Sequence, residues 1–279
     1  MIYDLALHPN PLNLKTRRGL ILRGKSLGEV APLPGYSKET LDDCLKNLDV
    51  SFPSVRFANS SSELDLFDAR DIEISPLLID SFDFSGPATT YKIKVGHISL
   101  TDAISRLKKI KKEHPNLKLR IDANRKWTLM QALQFADNFT KSDFAYLEEP
   151  VNTFDELLAF SKKTSFPVAV DESLYDQPID RILKLSSLRA LVIKPTLFGG
   201  MEDIEACQKI IGDIPIVLSS SFESGMGLLS ICKIASHLEL TEPVGIDTYR
   251  FFKRDLLKKP LDLSKAKVPA KWMTSFSLL

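Results

Sequence analysis

Six ionisable residues recur at the ends of short apolar runs. They are Lys92 and Lys94 in TYKIKVG, Asp122 in LKLRIDAN, Glu148 in FAYLEEP, Asp171 in FPVAVDES and Lys194 in RALVIKP. Carboxylates are hard oxygen ligands that suit a magnesium-like cation, which keeps other coordination positions for water or substrate oxygens. Such a cation can hold a substrate carboxylate and stabilise the charge left when the α-proton departs. A lysine can take that proton only when it is neutral part of the time. A neighbouring ammonium or metal cation lowers its pKa toward that state. Lys92 and Lys94 stand two residues apart, so on a strand they share a face; Lys92 is therefore expected to tune Lys94. Each residue alone has a plainer reading. A strand-end carboxylate caps a helix or pairs with a surface cation, a KIK pair marks an exposed edge strand, and a lysine before proline snorkels from a loop. The ordered recurrence of all six points to a reaction centre.

That order needs elements to carry it. With Ser219 in IPIVLSSS and Gly245 in PVGIDT, the marked positions from Lys94 onward recur every 23 to 28 residues. This is about the length of a strand, a loop and a crossover helix. TLMQALQFADNF, TFDELLAFSKK and MEDIEACQKII carry apolar residues at helical spacing between the runs. With IEISPLLI (72–79) as the first strand, eight strands predict an α/β fold: a (β/α)8-type parallel barrel occupying residues 72–251. Only DSFDFSGPA separates the first two strands, so the first helix is expected to be missing or reduced to a turn, giving a (β/α)7β-like variant. Residues 1–71 read as an N-terminal α+β domain, with RRGLILRG and GEVAPLPG as antiparallel strands and SKETLDDCLKNL as a serine-capped helix. The tail, 252–279, is expected to pack on that domain.

In a chain of 279 residues, 44% hydrophobic residues, 26% charged residues and a formal net charge of +1 describe a globular protein. Near-neutral charge gives no reason to expect nucleic acid or an acidic membrane as partner. The basic run SRLKKIKKEH (105–114) reads as the solvated face of a helix. No apolar stretch is long enough for a membrane span and the N-terminus lacks a signal pattern. Three scattered cysteines without a CxxC suggest incidental buried thiols in a reducing cytoplasm. Gly199-Gly200 reads as a helix start more readily than a phosphate cradle. Phe82, Phe84, Trp127 and Phe198 read as core aromatics in preference to site walls.

The motifs KIK, RIDAN, LEEP, VDES, VIKPTL and SSSFES resemble the enolase superfamily, in its two-lysine branch that includes the muconate-lactonizing enzymes. The likeness spans nearly the whole chain, and GEVAPLPGYSKET is similar to the specificity loop of that family's capping domain. The resemblance implies magnesium, or manganese, held by Asp122, Glu148 and Asp171. Glu148 is preferred to Glu149 because the first glutamate of LEEP fills that role in the family. It further implies Lys94 as general base, Lys194 as a cation facing it across the substrate, and Lys92 as an accessory cation. Arg120 and Asn124 either orient ligands and substrate or serve structural salt bridging. Ser219, Ser221 and Gly245 either approach a substrate carboxylate or simply cap a helix, and Glu223 has no assigned role. The implied reaction is syn β-elimination of water from a small hydroxycyclohexadiene carboxylate in menaquinone biosynthesis, through an enediolate. The alternative is racemisation of N-acylamino acids or epimerisation of dipeptides. A barrel that kept the fold only for binding is disfavoured by the intact lysines and carboxylates.

Overall fold

The apolar runs become strands because they are buried on both faces, as a parallel sheet with helices on it requires. A computed structural model describes residues 1–64, 69–80, 83–84, 86–275 and 278. Three short antiparallel strands open the chain: β1 (Ile2–Ala6), β2 (Thr16–Arg23) and β3 (Leu27–Val30). Then come β4 (Ile72–Glu73), β5 (Leu77–Leu78), β6 (Thr90–Lys94), β7 (Lys118–Asp122), β8 (Tyr146–Glu148) and β9 (Val168–Val170). The last are β10 (Leu188–Ile193), β11 (Ile216–Leu218) and β12 (Lys267–Val268). A seven-stranded sheet runs β11-β10-β9-β8-β7-β6-β5, with each consecutive strand added beside the last. That order, with parallel pairing from β5 through β10, is the curled sheet of a (β/α) barrel.

Two expectations about the sheet need correction. IEISPLLI is not one strand. It splits into β4, which pairs antiparallel with β12, and β5, which joins the parallel sheet. Pro76 lies between them; it has no N–H to give, and its carbonyl accepts from the Lys92 amide at 2.9 Å. The eighth run, PVGIDT, makes no named strand. Isolated parallel bridges Ile74–Val244 and Ser219–Gly245 stand in its place. Among the described residues no helix lies between β5 and β6, as the short connection predicts. Phe82 lies outside the described residues.

The chain divides into two compact units. One comprises Met1–Ile74, Ile193–Gly212 and Val217–Leu279. Its β1-β2-β3 sheet meets helix Pro53–Glu63, and β3 comes close to it: a Cβ on Gly28 would lie 1.9 Å from the Ala58 carbonyl oxygen. Helix Leu41–Lys46 is capped by Thr40 in a reciprocal box with Asp43, not by the upstream serine. The tail pairs within this unit, through β12 on β4 and the Leu7–Phe252 bridge. Helix Gly225–His237 is buried along nearly its whole length. Helix Met201–Ile211 starts at Gly200, the plainer of the two readings of that glycine pair.

The other unit comprises Ser75–Val192 and Asp213–Ile216. Helices Leu100–Glu113, Leu129–Ala136 and Phe154–Thr164 alternate with its strands. Ser99, Thr128 and Thr153 cap them by accepting a backbone N–H, so each chain reversal from strand to helix is locally satisfied. Trp127 is buried and packs on Phe135 with ring centroids 4.9 Å apart, a core aromatic, whereas Phe84 is half-buried and meets Tyr91 edge-on at 5.0 Å. Cys44, Cys207 and Cys232 are buried and free. Among the described residues no helix is long and apolar enough to cross a membrane.

Candidate active site

Register explains why distant motifs converge. Lys94 pairs with Asp122 across β6 and β7, and Asp122 pairs with Glu148 across β7 and β8. Glu148 pairs with Ala169, two residues short of Asp171, so these side chains lie on one face at the C-terminal ends of adjacent strands. Asp122, Glu148 and Asp171 are each only 1% exposed. Three carboxylates this deep need cations nearby.

Lysines supply part of that charge. Lys92 Nζ lies 2.6 Å from Glu148 Oε1 and 2.9 Å from Asp122 Oδ2. Lys94 Nζ donates to Asp122 Oδ2 at 3.0 Å and to Asn124 Oδ1 at 2.5 Å. The Asn124 backbone has φ 48° and its N–H donates to Asp122 Oδ1 at 2.9 Å, so this asparagine turns back over the strand end. Burial alone would lower the Lys92 pKa, but Asp122, Glu148 and Asp171 together hold it well above the usual lysine value. Burial likewise opposes ionisation of Asp122, yet Lys92 and Lys94 win and keep its pKa below the ordinary aspartate value. Glu148 goes the other way. Burial, with Lys92 opposing and the Asp122 and Asp171 charges adding, pushes it up to about 8. Arg120 is buried beneath this layer, its guanidinium 5.7 Å from the Tyr146 ring centre.

A divalent cation fits these residues on one observation in particular. Glu148 Oε2 is buried with no hydrogen-bond partner, an oxygen aimed at nothing in the protein. In this conformation the Lys92 ammonium occupies the bridging position between Asp122 and Glu148, and among the described residues no three acidic groups close on one point. Asp122, Glu148 and Asp171 are oxygen donors of the kind a hard cation takes, and Lys92 stands between two of them.

The remaining predicted residues belong to the other unit. Lys194 is half-buried and immediately precedes helix Pro195–Phe198. Ser219 Oγ donates to the Gly245 carbonyl at 3.2 Å, and a Cβ on Gly245 would lie 2.9 Å from that hydroxyl. Ser221 is 1% exposed, and its Oγ has no hydrogen-bond partner. The Ser221 N–H donates to Glu223 Oε2 at 2.5 Å, while Thr196 Oγ1 donates to Glu223 Oε1. Glu223 thus holds the triple-serine turn, where Phe222 has φ 61°. Burial first, then Glu29, raises the Glu223 pKa against the pull of Thr196.

Sequence reasoning passed over several buried charged groups in this unit, Arg17 and Glu29 the deepest among them. Arg17 is 1% exposed and donates to the carbonyls of Ala31 (2.6 Å), Pro32 (2.8 Å) and Phe222 (2.9 Å). Glu29 is fully buried and accepts from Ser224 Oγ at 2.6 Å and the Gly227 N–H at 2.6 Å. Arg17 shares its strand face with the buried Gly19 and Ile21, and Glu29 lies among the buried residues of β3. In the barrel unit it passed over the pairing of Arg125 with Glu149, for which the doubled glutamate of LEEP was the available signal.

A parallel sheet of this topology, with lysines and carboxylates layered on its strand ends, is that of a (β/α)-barrel enzyme. Residues 85–270 match the family model described as enolase C-terminal domain-like, and the chain belongs to that family. It is 32% identical to o-succinylbenzoate synthase of Klebsiella pneumoniae, over 88% of this chain and 87% of that one. It is 33% identical to o-succinylbenzoate synthase of Vibrio cholerae, over 82% and 79%. Among solved structures, o-succinylbenzoate synthase from Thermosynechococcus elongatus, complexed with magnesium in its active site, superposes with TM-score 0.75 at 22% identity, covering 94% of each chain. Muconate lactonizing enzyme from Pseudomonas putida superposes with TM-score 0.73 at 14% identity, covering 100% of this chain and 96% of that one. These two show the shared fold.

Proposed function

We propose that this chain is a lyase with o-succinylbenzoate synthase activity, removing water from a succinyl-substituted hydroxycyclohexadiene carboxylate on the route to menaquinone. The observation that carries the reading is the layer Lys94–Asp122–Glu148, with Asp171 at the next strand end and Lys92 bridging Asp122 and Glu148, in a chain more than 30% identical to synthases over most of its length. Asp122, Glu148 and Asp171 would hold magnesium, with manganese as a substitute, and the bound ion would supply positive charge for the substrate carboxylate. Lys94, steered by Asn124 and Asp122, takes the proton α to that carboxylate. The C–H electron pair moves toward the carboxylate, which becomes more negative. The C–O bond at the β-carbon then breaks, a ring double bond forms, and protonated Lys94 returns its proton to the departing hydroxyl. Water leaves and the ring is aromatic, with no net change in charge or oxidation state. Lys92 serves as an accessory cation beside Lys94, and Lys194 serves as a cation for the developing charge.

Asn124, Arg120, Ser219, Ser221 and Gly245 are assigned to substrate binding; the hydroxyl of Ser221, buried without a partner, supports that assignment most directly. We assign residues 1–71 with 252–279 as a capping domain, supported by the Leu7–Phe252 bridge, and residues 72–251 as the catalytic barrel. The buried free thiols support a cytoplasmic setting.

The test follows loss of the cyclohexadiene absorbance with the purified full chain, with magnesium and with EDTA, beside Lys94→Ala. Magnesium-dependent turnover that Lys94→Ala lowers by about 100-fold or more supports the reading. Absence of turnover in the unaltered chain, with α-proton exchange in N-succinyl amino acids instead, would transfer the same machinery to racemisation.

A further inference from the structure

The second glutamate of LEEP takes no part in the chemistry above, yet Glu149 is as buried as Glu148. Its backbone lies in the left-handed region at φ 40°, and Arg125, after the preceding strand, does so at φ 57°. Two non-glycine residues in that region are costly unless other bonds hold them there. Here the bonds are explicit. Glu149 Oε1 accepts from the Asp171 N–H at 3.0 Å and the Ser173 N–H at 2.7 Å. Glu149 Oε2 accepts from Ser173 Oγ at 3.0 Å and from Arg125 Nε at 3.1 Å. Arg125 also donates to Ser173 Oγ at 2.9 Å and Asp176 Oδ2 at 2.5 Å, and its N–H donates to the Glu149 carbonyl at 2.7 Å.

This net ties together the residues that follow β7, β8 and β9. Its place matters because β9 ends at Val170, so Asp171 is the first residue beyond the regular strand. The Asp171 amide donates instead to the Glu149 side chain. A carboxylate that must meet a cation needs its backbone fixed to within about half an ångström, and hydrogen-bonding partners behind a ligand do this in metal sites generally.

We infer that Glu149, clamped by Arg125, is a positioning residue that sets Asp171 for divalent-cation binding. The inference rests on the proposed role of Asp171 as a cation ligand. A salt bridge that only held the fold together would affect melting without a separate effect on the cation.

The experiment titrates chelator-treated full chain with magnesium alone by calorimetry, and records circular dichroism and melting for each variant. Glu149→Ala is expected to weaken magnesium binding about 10–100-fold. The turnover number at saturating magnesium should move less than the magnesium dissociation constant. Glu149→Gln keeps one acceptor oxygen for the Asp171 and Ser173 amides but turns an NH2 group toward Arg125, so it should weaken binding several-fold. Adding Arg125→Met to Glu149→Gln removes that donor–donor contact and should restore part of the affinity. Should Glu149→Ala fail to fold, Glu149→Gln decides. Folded variants that bind magnesium as tightly as the unaltered chain overturn the positioning role. An unaltered chain that binds no magnesium removes the proposed metal ligation, and this role with it.

Discussion

Lys92→Met is the perturbation with the most direct consequence. It keeps the length of the side chain and removes the ammonium that bridges Glu148 Oε1 at 2.6 Å and Asp122 Oδ2 at 2.9 Å. Asp122 retains Lys94 at 3.0 Å. Glu148 has no such reserve, because its other oxygen is buried without a hydrogen-bond partner. Removing one partner of a buried pair costs about 3–5 kcal/mol when the stranded group stays charged. A chain of this length loses about 2 °C of melting temperature per kcal/mol, so the loss is roughly 5–10 °C. Glu148 can escape by taking a proton, and burial already pushes its carboxyl up to about 8. The cost should therefore be near its full value at alkaline pH. Near pH 6 the share of the loss that falls on Glu148 should shrink to that of a hydrogen bond, about 1–2 kcal/mol, while the still-ionised Asp122 keeps Lys94 as its partner. The assay is thermal melting in EDTA at both pH values, repeated with saturating magnesium, which should narrow the difference by supplying the missing charge. Equal melting of the variant and the unaltered chain at alkaline pH would refute the account of Lys92 as the resident counter-cation.

Two further outcomes follow from the other unit. The Glu223 pKa is raised in the fold above its ordinary value of 4.5, so folding takes up a proton between those two values. Its contribution is greatest below the unfolded pKa and declines as pH rises through the folded one, by up to about 1.4 kcal/mol per pH unit. Glu223→Gln can still accept from Ser221 and donate to Thr196, and its melting temperature should fall less steeply with pH from 5 upward; parallel curves would remove Glu223 as the titrating group. Gly28→Ala would force a Cβ to within 1.9 Å of the Ala58 carbonyl oxygen, so β3 and helix Pro53–Glu63 must separate. The expected loss is about 1–3 kcal/mol, read from denaturant unfolding, and an unchanged midpoint would contradict it.

By itself the sequence determined the beat of the barrel and the identity of its strand-end residues. Burial on both faces forces continuous apolar runs, and a crossover helix forces a nearly constant interval, so both are written in local composition. Lys94, Asp122, Glu148 and Asp171 could be named because they break those runs at fixed places. Three things needed the tertiary structure. The split of IEISPLLI depends on which distant strand pairs with each half, and β12 lies nearly two hundred residues downstream. The bridging of Asp122 and Glu148 by Lys92 depends on register between strands, which no single strand encodes. Arg17, Glu29 and Glu149 look like surface charges in sequence because hydrophobic patterning has no term for a buried group whose hydrogen bonds are all met. Many of their partners are backbone amides and carbonyls, and backbone groups are the same at every residue; only the folded path brings the right ones within reach.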